Sequence, residues 1–390
     1  MKSYTISSTV IATLETCSFY SKGKGVESFP YSQVKECKLN NKFIYKLSGT
    51  DTRQINEIHD ILIKTLFDKL PINNSATAYL KNKSYLDFLE PHRNSNYFLR
   101  IDLKNFFHFI NKEIVKEVLF HHVSSDPISE KTTQSSLDLI TNLLTITLPN
   151  NVKNLEFSGK SILPIGFKTS PAVSNIIFRK FDILIEKFCS RHDILYTRYA
   201  DDMLFSSSDT RTDQYIEKSL FDILLPPPNT KPFLHSSKFT EQISFILNLG
   251  GFKINTKKTS IAKGNFTVNG YTISGSNYPY KSGTIRISNK KTKTISKLIH
   301  ECKKNLSDEA VLNIVFKYNH NKVKFRYKPS TKFLAKYHSS QLDNKLMGYR
   351  SYLISLLSFN ERHNCMTELF IKKCSNLVNE IDMIMKSRMV

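Results

Sequence analysis

The clearest pattern in the chain is an alternation of faces in "NYFLRIDLKNFFHFI" (96–110). It puts Phe98, Arg100 and Asp102 on one side of a predicted strand and Tyr97, Leu99 and Ile101 on the other. The tail of the same stretch turns to helical spacing. Upstream, residues 1–50 carry short β-like runs such as "KFIYKL", and "IHDILIKTLFDKL" (58–70) has apolar residues at helical spacing until Pro71 and "INNS" stop it. "SSLDLITNLLTITL" (135–148) predicts an amphipathic helix. In "ILPIGFKTSPAVSNIIFRKFDILIEKF", Thr169 and Ser170 are expected to cap a long helix whose first turn suits Pro171.

"YTRYADDMLFSS" (196–207) predicts strand, a bend at Ala200 to Asp202, and strand. Helices are expected at 213–225 and 239–249, on either side of the stiff loop "PPPNTKP". "FTVNGYTIS" and "GTIRIS" predict a small β element, and Lys290 to Val390 a lysine-rich helical region. This mixture indicates an α+β fold with a boundary near 285.

Charge narrows the partner. The 390 residues include 56 Lys and Arg against 34 Asp and Glu, a formal net charge of +22. That balance suits a polyanion that releases counter-ions on binding, which favours nucleic acid over membrane. No run of about 18 apolar residues could span a bilayer, and "MKSYTISSTV" is unlike a leader, so a cytoplasmic protein is expected. The six cysteines (17, 37, 189, 302, 365, 374) form no CxxC pair, so neither a zinc site nor a disulfide framework is indicated.

Asp201 and Asp202 set two carboxylates side by side at a bend between apolar strands. Such a pair repels itself and resists desolvation unless a cation neutralises it. An exposed turn is the simple explanation, since Asp favours turns. A third carboxylate, Asp102, ends another strand of similar build, and pairing the two strands would bring it to Asp201. Two carboxylates bridging two metal ions about 3.5 to 4 Å apart activate an attacking hydroxyl and stabilise a leaving pyrophosphate.

With these residues in view, the chain resembles the reverse transcriptases, specifically the bacterial retron and defence-associated enzymes. "FLRIDLKNFF", "LPIGFKTSPAVSN", "RYADD", "GGFKINTKKTSI" and "VNGYTIS" are similar to five family motifs, in the family's order. The resemblance covers about residues 50–350. It implies a right-hand polymerase with fingers in 1–96 and 104–165, a palm with an antiparallel sheet in 97–285, and a helical thumb in 286–390. It also implies two Mg²⁺ ions, with Mn²⁺ as a substitute, held by Asp102, Asp201, Asp202 and the Leu103 carbonyl.

By the same resemblance Phe107 is a steric gate against the ribose 2′-OH, which points to dNTPs. Lys258 is a general acid toward pyrophosphate or a neutralising charge, and Arg53 and Lys83 grip the triphosphate. Gly166 and Ser170 support the incoming nucleotide. Tyr271 presents an aromatic edge to the primer end, and Arg286, Lys290, Lys291, Lys293 and Lys297 face template and primer phosphates. Residue by residue, the plain alternatives are a core aromatic for Phe107 and solvated surface charges for Lys258, Arg53, Lys83 and the five C-terminal cations.

A dedicated non-coding RNA as template, an RNA/DNA hybrid, a neighbouring effector protein and a homo-oligomer are the partners this implies, in an anti-phage defence setting. Three departures stand out: Ile165 replaces a common Gln, "FLEPH" keeps His92 without the preceding pair of an "NAxxH" element, and "VNG" replaces "VTG". Alternatives are a non-retron defence enzyme making untemplated or protein-primed DNA, an RNA-dependent RNA polymerase, a group II intron maturase, and a catalytically silent scaffold gating a toxic effector.

Overall fold

The computed structural model describes residues 3–21, 24–39, 42–129, 132–208, 232–276 and 282–388. The chain divides into two compact units. The first takes in Met1–Phe88, Leu99–Phe205 and Thr210–Ile261, the second Leu89–Phe98, Ser206–Asp209 and Ala262–Val390. No helix among the described residues is long and apolar enough to cross a membrane.

The central sheet has four strands in the order Ser260–Lys263, Tyr97–Asp102, Asp202–Ser207, Leu195–Tyr199. The bonds from Asn96 N to Ser207 O (3.1 Å) and from Leu103 N to Asp201 O (2.9 Å) make the two middle strands antiparallel. Both faces of the Tyr97–Asp102 strand are covered, only Arg100 keeping partial exposure, which is why its apolar positions fail to alternate cleanly.

Behind the sheet lies the helix Ser170–Ser190, whose Phe178 ring packs with Phe106 at 5.4 Å and Phe252 at 5.1 Å, and whose Phe181 ring packs with Phe252 at 5.3 Å. Pro171 sits in the first turn as expected. The expected side-chain cap is not formed: Thr169 occupies the N-cap position without a capping bond, and Ser170 Oγ instead donates to Pro164 O at 2.7 Å. The tight loop before the helix claims that hydroxyl.

The hairpin of Val34–Leu39 and Lys42–Leu47 packs on a separate cluster that includes Tyr45, Ile146, Phe157 and Phe167. The helix expected at 58–70 begins earlier, at Thr52, and runs to Thr65, its last stretch tightening into a 3₁₀ turn at Phe67–Lys69. Ser136–Leu144 and Ser237–Asn248 are helical near their expected places. The helix expected at 213–225 and most of "PPPNTKP" lie outside the described residues.

The second unit contains a three-stranded antiparallel sheet, Asn265–Val268, Tyr271–Ser274 and Thr284–Ile287, followed by the helices Asn289–Cys302, Asp308–Phe316, Thr331–His363 and Glu368–Ser387. Ile285, Ile295, Leu298, Leu312, Leu346, Leu353 and Ile381 are fully buried in it. The boundary expected near 285 falls inside this unit, because the strand Thr284–Ile287 pairs with Tyr271–Ser274 and joins the small sheet to the helices.

Candidate active site

The turn between the strands Leu195–Tyr199 and Asp202–Ser207 has only two residues, Ala200 and Asp201. Ala200 takes φ +59°, a left-handed conformation that costs an alanine of order 1 kcal/mol. A buried network over-determines it. Arg198, wholly buried, donates from Nε and NH2 to both oxygens of buried Asp182 (2.8 and 2.7 Å), while its NH1 reaches Asn175 Oδ1 and Ala200 O, each at 3.1 Å. Tyr196 Oη also donates to Asp182 Oδ1 at 2.7 Å. The turn is therefore clamped from below by a charge pair that excludes water.

On the neighbouring strand Asp102 is held in turn. Its Oδ1 accepts from Asn255 Nδ2 and its Oδ2 from Lys258 Nζ, both at 3.0 Å, while its backbone oxygen accepts from Asn255 N at 2.7 Å. Asp201 Oδ2 meets Lys42 Nζ at 3.2 Å. Because Leu103 N bonds to Asp201 O, the two carboxylates arise from adjacent backbone positions, and both line one cavity of about 390 Å³. Lys42, Leu103, Phe107, Ile165 and Lys258 line it too.

Asp202 takes a different place. Arg100 donates to it twice, Nε to Oδ1 at 2.6 Å and NH2 to Oδ2 at 2.8 Å, with Tyr85 Oη a longer donor at 3.4 Å. It does not line the cavity. Burial pushes its carboxyl above the usual range, Arg100 opposes that, and Asp201 and Asp102 add to the rise.

The double phenylalanine resolves into two tasks. Asn105 at φ +48° starts the short helix Phe106–Phe109 and turns Phe106 into the core, at 5.4 Å from Phe178, while Phe107 stays half-buried and faces the cavity. Tyr79, also with positive φ, flanks Phe107 at 6.4 Å.

Gly166 is not beside the carboxylates but against the hairpin. It has φ +122°, Tyr45 N donates to Ile165 O at 2.7 Å, and a Cβ on Gly166 would lie 2.5 Å from Tyr45 O. Only glycine fits there. Arg53 lines a separate cavity with Thr9 and Glu57, and Lys83 pairs with Asp87 at 3.5 Å, so neither joins this site.

In the second unit Tyr271 is buried against Tyr352, ring centroids 5.0 Å apart, rather than presenting an edge. Arg286, Lys290 and Lys291 share a groove of about 500 Å³ with Asn269 and Gly270. Lys293 is exposed away from that groove and Lys297 donates to Ile314 O at 2.9 Å.

Sequence reasoning missed Lys42, Asn255 and Arg100 as partners of the three aspartates. Asn255 and Arg100 had a signal, being polar side chains inside "FKINTKK" and on the Asp102 face of "YFLRID". Lys42 had only the Asn40-Asn41 pair that announces a hairpin between "VKECKL" and "KFIYKL".

The chain is 31% identical over 185 residues to the retron Ec83 reverse transcriptase of Escherichia coli (47% of this chain, 56% of the relative). It is 34% identical over 152 residues to the retron Ec73 reverse transcriptase of the same organism (38% and 44%). The alignments thus span about half the length of these curated relatives. A telomerase from Candida albicans, solved with a fragment of telomeric RNA, aligns at 12% identity and TM-score 0.42 over 90% of this chain and 61% of its own. The family model described as reverse transcriptase (RNA-dependent DNA polymerase) matches residues 43–273, more than half of the chain and all of the cavity's lining except Lys42. The chain belongs to the reverse transcriptase family.

Proposed function

We propose that the chain is an RNA-directed DNA polymerase that extends a primer hydroxyl with dNTPs by two-metal nucleotidyl transfer. The observation that carries this is the convergence of Asp102 and Asp201, 99 positions apart in sequence, on one cavity with Phe107 and Lys258.

The donor set suits magnesium. Asp102 and Asp201 offer hard carboxylate oxygens, and the Leu103 carbonyl is a further candidate. Their lysine partners are about half exposed, Lys42 58% and Lys258 48%, so each ammonium can turn to solvent and yield its carboxylate to a divalent ion. When bound, such ions activate the attacking hydroxyl and neutralise charge on the leaving pyrophosphate.

The chain's own residues do the rest. Asn255 orients Asp102 through two hydrogen bonds, and Arg198 fixes the turn that aims Asp201. Displaced from its carboxylate, Lys258 Nζ would neutralise or protonate the departing phosphate oxygen, and Lys42 would meet the triphosphate from the hairpin. Phe107 would exclude a 2′-OH. Asp202 would act through position, holding the strand with Arg100.

Retron-type synthesis from a dedicated non-coding RNA is the finer reading. It is supported by the names of the Ec83 and Ec73 relatives and by the groove of Arg286, Lys290 and Lys291, which suits backbone phosphates. Sequencing the nucleic acid that copurifies with the chain and with its Asp201→Asn variant tests both levels. A discrete RNA joined to complementary DNA only in the active protein is expected. Random cellular RNA would sink the retron reading, and unchanged DNA synthesis by the variant would sink the polymerase mechanism.

A further inference from the structure

We infer that Glu309, His320 and His338 form a zinc site that clips a basic loop to the helical unit. These residues come from three separate elements: Glu309 from the helix Asp308–Phe316, His320 from the short 3₁₀ turn His320–Lys322, and His338 from the second turn of the helix Thr331–His363. Their ligand atoms all lie within 4.8 Å of one another. His320 Nδ1 is 2.6 Å from Glu309 Oε1, and His338 Nδ1 is 3.8 Å from Glu309 Oε2.

A hydrogen bond between Glu309 and His320 would by itself account for two of the three. It does not account for His338, which has a side chain only 5% exposed. Burying an imidazole without partners is costly. Its Nε2 is buried with no hydrogen-bond partner among the described residues, and so is the hydroxyl of Tyr318, whose ring lies 5.5 Å from that of His338. Native proteins rarely leave two neighbouring polar atoms unsatisfied in this way. Polar capacity is gathered at this point and the protein does not use it up.

The donor set selects the ion. Two imidazoles and one carboxylate suit zinc, with bonds of about 2.0 to 2.2 Å and one tetrahedral position left for water or the Tyr318 hydroxyl. Magnesium and calcium would ask for more oxygens than the cluster supplies. Small closing movements bring the three ligand atoms to bonding distance, since the side chains of Glu309 and His320 are partly exposed and have room to turn.

The site's position gives it a role. Between Glu309 and His338 the chain carries Lys317, Lys322, Lys324, Arg326, Lys328, Lys332 and Lys336 with no acidic residue after Glu309. Such a segment repels itself, and tying its start to two helices with one ion offsets that repulsion and presents the cations as a fixed surface.

The test uses the full chain, stripped by a chelator and dialysed against zinc alone. We expect one zinc per chain and at least a ~10-fold weaker affinity in Glu309→Gln and His320→Ala, the two partly exposed ligands whose replacement spares the core. Cobalt in place of zinc is expected to give a tetrahedral spectrum without thiolate charge transfer, which separates this site from the six cysteines. Zinc is also expected to slow tryptic cleavage at Lys322 to Lys328 in the parent chain and in neither variant. Undiminished zinc content in both variants, no bound zinc in the parent, or a thiolate band would each overturn the assignment.

Discussion

Arg100 grips Asp202 with two parallel hydrogen bonds of 2.6 and 2.8 Å, whereas the carboxylate of its chain neighbour Asp201 lines the cavity and meets the exposed end of Lys42. Adjacent aspartates thus have different work. One is committed to the fold and the other is available to chemistry.

Removing the cation from the committed residue leaves a buried carboxylate unpaired. Arg100→Met is expected to lower unfolding free energy by about 2–3 kcal/mol, the low side of the range for broken buried pairs, because Arg100 is 23% exposed. Urea titration of Arg100→Met beside Asp201→Asn checks this, and equal stability of the two would refute the division of labour.

Asp102→Asn and Asp201→Asn should each reduce dNTP incorporation by at least ~10³-fold, a loss of about 4 kcal/mol of transition-state stabilisation. Asp201→Asn is expected to melt close to the parent, since it gives up only a largely exposed ion pair, and the isosteric Asp102→Asn keeps an oxygen for Asn255 at that buried position. Retained polymerisation in a folded variant would contradict the site.

Phe107→Val is expected to raise use of ribonucleotides relative to dNTPs by about 10- to 100-fold, an amount set by one relieved steric contact of about 1–3 kcal/mol. Phe106→Val, by contrast, should cost about 2–4 kcal/mol of stability through a cavity among Phe178 and Phe252 and leave sugar selection alone. Swapped outcomes would exchange the roles of the two rings.

Acid should destabilise the chain through its buried histidines. Burial depresses His92 to about 3, and His59 and His108 to about 4. An unfolded chain takes up these protons near pH 6.5 and the native one refuses them until the depressed values. Stability therefore falls as pH drops through that window, by about 1.4 kcal/mol per unit and per histidine. Equilibrium unfolding at pH 7, 6 and 5 should show this slope, and His92→Gln should flatten it by one proton; an unchanged slope would show that His92 charges in the native state.

Much of the site could be read from sequence because its markers are local. Asp102, Asp201 and Phe107 sit in stretches whose alternation and turns fix where they point. What stayed hidden depends on distant pairing. Nothing in the neighbourhood of Lys42 says that a hairpin tip will reach Asp201, and nothing near Asp182 says that Arg198 will bury against it. Gly166 was expected to support the incoming nucleotide, and the backbone it meets closely is that of Tyr45 in the chain itself. Tyr271, expected from the resemblance to present an aromatic edge, is covered by Tyr352 of a helix far along the chain, a pairing with no local marker.

The lysines on Asp102 and Asp201 give this carboxylate pair a resting state of its own. A nascent chain can close this region using counter-ions it carries with it, and be stored in that condition. On the proposed two-metal reading, scarcity of magnesium idles the protein without unmaking it, so a chelated sample is expected to keep its near-ultraviolet signature and regain turnover on adding the ion back.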